Sequence, residues 1–180
     1  MNTKNRLFVL VVFLGIFISE SAFSNSLTRD PSKYFFDQFL GDLTEEIDIA
    51  KELDKKFILI MFESEECPFC KRMKKTVLNQ VNVQEYFRSN FHILLVDIDG
   101  DVEITDFKGD ATTMKDFSFD QLRVRATPVF AFFDLEGRVI KRGRYTGATT
   151  GVEEFMQYGQ FMTNDIYKKM SFTRYKRSLK

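Results

Sequence analysis

The chain contains two cysteines, three residues apart in Cys67-Pro68-Phe69-Cys70. The apolar run Phe57 to Phe62 (FILIMF) precedes them, and Lys71-Arg72 follow. Pro68 suits the first position of a helix, where a missing N–H costs nothing. A cysteine at a helix N-terminus faces unsatisfied backbone N–H groups and the positive end of the helix dipole. Both stabilise a thiolate, the reactive form of the side chain. Cys70 lies one turn further on the same face and can reach back to a mixed disulfide on Cys67. Cys67 is therefore the candidate nucleophile and Cys70 the resolving thiol. Glu63, Glu65 and Glu66 raise the thiol pKa by like-charge repulsion, whereas Lys71, Arg72 and the dipole lower it. The dipole acts directly, while exposed charges are screened over ~10 Å at 0.1 M salt. A moderately depressed Cys67 pKa is expected.

Other uses of the pair compete unevenly. As an inert staple it would close a loop of two intervening residues, which removes little entropy from the unfolded chain. Zinc takes about four ligands, and the chain adds one histidine, His92, inside an apolar stretch that reads as a strand. Copper(I) can use two thiolates and stays open as the alternative, in a non-enzymatic binding module. The acidic segment Asp97, Asp99, Asp101, Glu103 does not read as a calcium loop. Ile104 breaks its alternation, and no twelve-residue loop with a terminal Glu is present.

The elements that position the pair follow from periodicity. Leu43, Ile47, Ala50 and Leu53 recur at helical spacing, with Asp42 as N-cap. FILIMF has the pattern of a strand buried on both faces. A helix runs from Pro68 towards Leu78, and a second covers 83–89. Phe91 to Ile98 is another buried strand. Residues 99–116 are polar and read as an irregular insertion, followed by a short helix over 119–124. A third strand covers 127–134, and Glu136-Gly137 turns it into a fourth, Arg138 to Tyr145. Gly147 ends that hairpin, and a last helix spans 152–162. The order predicts an α/β domain with a mixed central sheet and helices on both faces. The aromatic cluster Tyr34, Phe35, Phe36, Phe39 and Leu40 is expected to dock on the main body. Residues 168–180 carry six basic groups and no acid. They read as a helical extension packed through Tyr167, Phe172 and Tyr175, with contact to anionic lipid as the lesser alternative.

The N-terminus reads as a leader. Lys4 and Arg6 precede twelve mostly apolar residues, Leu7 to Ile18, too short for the ~20 needed to span a bilayer. Ala22-Phe23-Ser24 forms a small-x-small site, so residues 1–24 are expected to be a signal peptide cleaved after Ser24. Residues 25–42 then form an N-terminal extension, and 43–180 the main domain. The mature chain would carry a net charge of −1. A near-zero charge offers no general field for nucleic acid. Outside the cytosol, thiols are not kept reduced, so the pair is expected to be oxidised unless a partner reduces it.

FILIMF, CPFC and Thr127-Pro128 at the entry of a later strand together resemble the thioredoxin fold. The resemblance implies a cis bond before Pro128. It also implies that Pro128 packs beside the cysteines and that Thr127 backbone groups pair with an extended substrate, with Pro68 and Phe69 at the same surface. "FESEECPFCKRM", "DIDGDVEITDFKGD", "RVRATPVFAFFDLEG" and "IYKKMSFTRYKR" are similar to the exported thioredoxins of sulfur-oxidation systems, the SoxW-like group. Membership would imply a periplasmic thiol–disulfide oxidoreductase, usually a reductase. It would act on protein disulfides and draw electrons from a membrane thiol carrier of the DsbD/CcdA type. Its redox group would be the Cys67–Cys70 disulfide, with no metal or other cofactor. The chain departs from that pattern in three places. Met61 stands where thioredoxins carry a buried acid, Glu66 where they carry tryptophan, and Pro-Phe between the cysteines is closer to the Pro-Tyr of glutaredoxins.

Overall fold

The structure is a computed structural model that describes residues 27–179; the expected signal peptide lies outside them. Four strands form the main sheet in the order β2-β1-β5-β6. They are β1 (Phe57–Glu63), β2 (Phe91–Asp97), β5 (Val129–Phe133) and β6 (Tyr145–Thr146). β1 runs parallel to β2, with Phe57 opposite Phe91 and Glu63 opposite Asp97. β5 is antiparallel to β1 and to β6. The sheet is mixed, as expected.

The apolar run of β1 is continuous because both its faces are covered. Its alternate residues divide between two cores. Leu59 and Met61 join Cys67, Cys70 and Met73 on one face. Ile58, Ile60 and Phe62 join Leu43, Ile47 and Ala50 on the other. The first face is covered by α3 (Pro68–Thr76), α4 (Val81–Asn90) and α6 (Val152–Thr163), and by Phe35 and Phe36 just after α1 (Pro31–Tyr34). Phenylalanine fills it, as in the stacked pair Phe87–Phe155, with centroids 4.4 Å apart. The second face is covered by α2 (Leu43–Glu52), whose N-cap Asp42 accepts the N–H groups of Thr44 and Glu45. Among the described residues no helix is long and apolar enough to cross a membrane.

Both flanking segments pack. Phe35 and Phe36 are buried against the α3 face, while Tyr34 and Leu40 stay exposed. The C-terminal α7 (Phe172–Ser178) inserts Phe172 among Tyr145, Tyr158 and Phe161. Lys176 of α7 pairs with Glu154 at the start of α6.

Three expectations need correction. The segment 99–116 is not irregular: β3 (Glu103–Thr105) and β4 (Ala111–Thr113) form a hairpin, anchored by buried Ile104 and by Thr105 N–H donating to Gly41 C=O. The following helix lies earlier than 119–124. It is α5 (Met114–Asp116), capped by the Thr113 hydroxyl and continued by a π-helical turn over Phe117–Gln121. The strand expected over 138–145 shrinks to one bridge, Val139 to Phe133, a 3-10 turn at Lys141–Gly143, and β6. Here the Tyr158 hydroxyl donates to the carbonyls of Gly143 and Phe130. Gly143 lies flat on Phe132 and Met162, where an added Cβ would sit 3.0–3.2 Å from their atoms. That packing takes the chain out of the ladder.

Candidate functional site: a disulfide at a helix N-terminus

β1 ends at Glu63, and Ser64-Glu65-Glu66 turn the chain, closed by Cys67 N–H donating to Ser64 C=O at 3.1 Å. Cys67 is the N-cap of α3, with extended backbone (φ −78°, ψ 105°), and Pro68 occupies the first helical position. The Cys70 N–H donates to the Cys67 sulfur at 3.0 Å. An N–H aimed at sulfur from a helix N-terminus stabilises negative charge there. Cys67 and Cys70 are joined as a disulfide, with Cα atoms 5.3 Å apart. Cys67 is 5% exposed and Cys70 1%, so an incoming thiol meets Cys67 first.

The Thr127–Pro128 bond is cis. Its loop faces the turn after β1: the Thr127 and Ser64 hydroxyls are 3.5 Å apart, and Val129, next in the chain, lies opposite Phe62. Pro128 C=O accepts from Gly147 N–H at 2.8 Å, with Gly147 in the left-handed region (φ +98°). Thr127 is half-buried, and among the described residues its own N–H and C=O engage no backbone partner. Phe69 is 56% exposed beside the disulfide. The Arg72 guanidinium lies 5.9 Å from its ring centroid and donates to Thr149 C=O at 3.2 Å. Cys67, Pro68, Phe69, Cys70, Thr127 and Pro128 thus surround one end of the sheet. The Arg72–Thr149 link was invisible in the sequence, since 77 positions separate the two.

Met61 is fully buried in the core that holds both cysteines. Glu63, two residues on, shares that face of β1 by strand alternation. Its carboxylate pairs with Lys74 Nζ at 2.5 Å, one turn beyond Cys70 on α3. Glu65 and Glu66 are exposed.

His92 is far from this site, near the start of β2 and opposite Ile58. It is buried, with Nε2 hydrogen-bonded to Glu46 and Nδ1 3.3 Å from Asp37. Burial acts to lower its pKa, but bonding to Asp37 and Glu46 and their charges prevail and raise it to about 9. Burial likewise acts to raise the Asp37 pKa. His92, the Ile93 N–H and Arg88 outweigh it and hold the carboxyl below its usual value. Among the described residues no group of three or more His, Cys, Asp or Glu side chains could hold a metal ion.

A family model described as a thioredoxin-like domain matches residues 43–163. No curated protein matches the chain. Among solved structures, the chain is similar to a thioredoxin-fold protein from Helicobacter pylori at 19% identity and a TM-score of 0.54, over 71% of this chain and 88% of that one. It is also similar to a thioredoxin from Thermus thermophilus, at 21% and 0.49, over 66% and 82%. The DsbD C-terminal domain of Neisseria meningitidis gives 18% and 0.46, over 66% and 92%. At such identities the likeness speaks to the fold alone, and it rests on the Helicobacter pylori protein.

Proposed function

The chain belongs to the family of thioredoxin-like domains, and from that premise we propose that it is an exported thiol–disulfide oxidoreductase that reduces protein disulfides in the periplasm. The observation that carries this reading is the Cys67–Cys70 disulfide at the N-terminus of α3, with the Cys70 N–H on the Cys67 sulfur. In the reduced protein the Cys67 thiolate attacks one sulfur of a substrate disulfide. A Cys67–substrate bond forms, and the other substrate sulfur leaves as a thiolate that takes up a proton. Cys70 loses its proton, attacks the Cys67 sulfur and expels the second substrate thiolate. Two electrons pass to the substrate, and the Cys67–Cys70 bond is restored. The Thr127 backbone groups beside cis-Pro128, which have no backbone partner among the described residues, suit the main-chain pairing of an extended substrate. The leader read at 1–24 supports export. An oxidising compartment then requires a donor, for which a membrane thiol carrier of the DsbD/CcdA type fits.

Reduction of insulin by dithiothreitol should be accelerated by the chain and lost in Cys67→Ser. Cys70→Ser should accumulate mixed disulfides on Cys67, visible as adducts on a non-reducing gel. A variant that traps none would count against exchange. A reduction potential near −270 mV supports a reductase, whereas one near −120 mV would make the protein an oxidant.

A further inference from the structure

A cleft of about 380 Å³ runs along the flank of α3, within the size range of ligand pockets. Pro31, Phe36 and Leu95 give it an apolar surface, and Lys71, Lys74 and Lys75 line its α3 side. Lys74 is committed to Glu63. Lys71 and Lys75 are exposed and have no ion-pair partner among the described residues. Four residues apart on a helix, they share one face, with Cβ atoms ~6 Å from each other. Asp30, across the cleft, is occupied in capping α1, where it accepts the Ser32 N–H and hydroxyl. The exposed Glu65 and Glu66 lie in the turn that enters α3, immediately before Cys67. The cleft lining starts one helical turn beyond Cys67, because the Lys71 N–H donates to Cys67 C=O at 3.1 Å.

We propose that this cleft docks an acidic segment of the protein partner whose disulfide meets Cys67. An apolar side chain would rest on Phe36 and Leu95, and carboxylates would meet Lys71 and Lys75. The proposal rests on the thiol-exchange reading above. The charge partition sets the direction: a segment bonded to Cys67 is repelled by Glu65 and Glu66 if acidic and is drawn along α3 instead. The occupant is a peptide rather than a small anion because the cleft pairs an apolar floor of Pro31, Phe36 and Leu95 with the two lysines and starts one turn from Cys67, where a substrate chain would be held covalently.

The test uses two short peptides, each with one cysteine blocked as a mixed disulfide with thionitrobenzoate. One continues with Glu and Leu at helical spacing, the other with Lys and Leu. Attack by reduced Cys67 on the peptide sulfur releases thionitrobenzoate, read by its absorbance; the neutral disulfide 4,4′-dithiodipyridine reports the exchange chemistry itself. The Glu peptide should react about fivefold faster at low salt, the size of one or two exposed ion pairs, and the ratio should fall towards one in about 0.5 M NaCl. Lys75→Glu should remove or invert the preference. Ser32→Trp, which fills the cleft while keeping all three lysines, should reduce it. Equal rates for the two peptides, a preference for the Lys peptide, or a ratio unchanged in both variants would overturn the docking proposal while dithiodipyridine still reacts. Failure of dithiodipyridine to react with the reduced protein would remove the exchange reading and the docking proposal together.

Discussion

At the scale of single residues, the disulfide and the buried histidine have opposite designs. Cys67 is held where a helix N-terminus favours charge and the edge of the fold admits a partner. His92 is closed off, with its charge balanced by Asp37 and Glu46 and with Arg88 paired to the outer oxygen of Asp37. Its folded pKa, about 9, lies above the ordinary 6.5. The stability it contributes is therefore fully present below pH 6.5 and is lost as pH rises through about 9. Urea midpoints measured from pH 6 to 10 should fall across that window in the wild type. In His92→Leu the fall should vanish. That variant should also lose roughly 3 kcal/mol at neutral pH, because buried Glu46 loses its partner and half-buried Asp37 is left with Arg88. Glu154 runs the other way. Burial acts to raise its pKa, but Lys176 and the Thr150 N–H and hydroxyl outweigh this and lower it to about 2. Its contribution is present above its ordinary value of 4.5 and lost as pH falls through about 2. Lys176→Met should therefore lessen the acid sensitivity seen by circular dichroism between pH 5 and pH 2.

At the scale of elements, α4 and α6 pack closely in the core that holds the cysteines. Gly159 of α6 faces Tyr86 and Phe87, and a Cβ there would lie 2.8–2.9 Å from ring atoms of both. Phe87 cannot easily withdraw, being stacked on Phe155. In an open helix, Gly→Ala stabilises by about 1 kcal/mol. Gly159→Ala should instead destabilise by about 1–3 kcal/mol through overpacking, read from chemical denaturation. α3 shows the other use of a helix. Its inner face buries Cys70 and Met73, while its outer faces carry Lys71 and Lys75 on one side and Phe69 with Arg72 on another. One element thereby presents the reactive sulfur and two chemically different borders.

At the scale of the whole molecule, segments outside the residues matched by the family model help close the core that holds the cysteines. Phe35 reaches Phe87 and Phe155 from the N-terminal side. Phe172 reaches Tyr158 and Phe161 from the C-terminal side. Phe172→Ala should cost about 3 kcal/mol and raise hydrogen exchange first in α6, the helix it covers. A loss confined to α7 itself would show that the tail is an appendage rather than a part of the core.

The amino-acid sequence by itself determined the junction that matters most: a doubly buried strand, then a proline-started helix with cysteines one turn apart. Each of those signals is local. A continuous apolar run reports burial on both faces, and Pro68 and Asp42 mark helix starts through preferences of their own backbone. The cis bond at Pro128, implied by resemblance, is present as well. Tertiary structure decided what depends on residues far apart in the chain. The β3–β4 hairpin exists because Ile104 and Gly41 hold it against the body, although strands of three residues carry almost no period. The last strand shrinks where Gly143 packs on Phe132 and Met162 and its carbonyl accepts from Tyr158. The inward face of Glu63, the charge of His92 and the lysine-lined cleft beside α3 were equally hidden. Each is set by a partner brought alongside only when the sheet and its helices close.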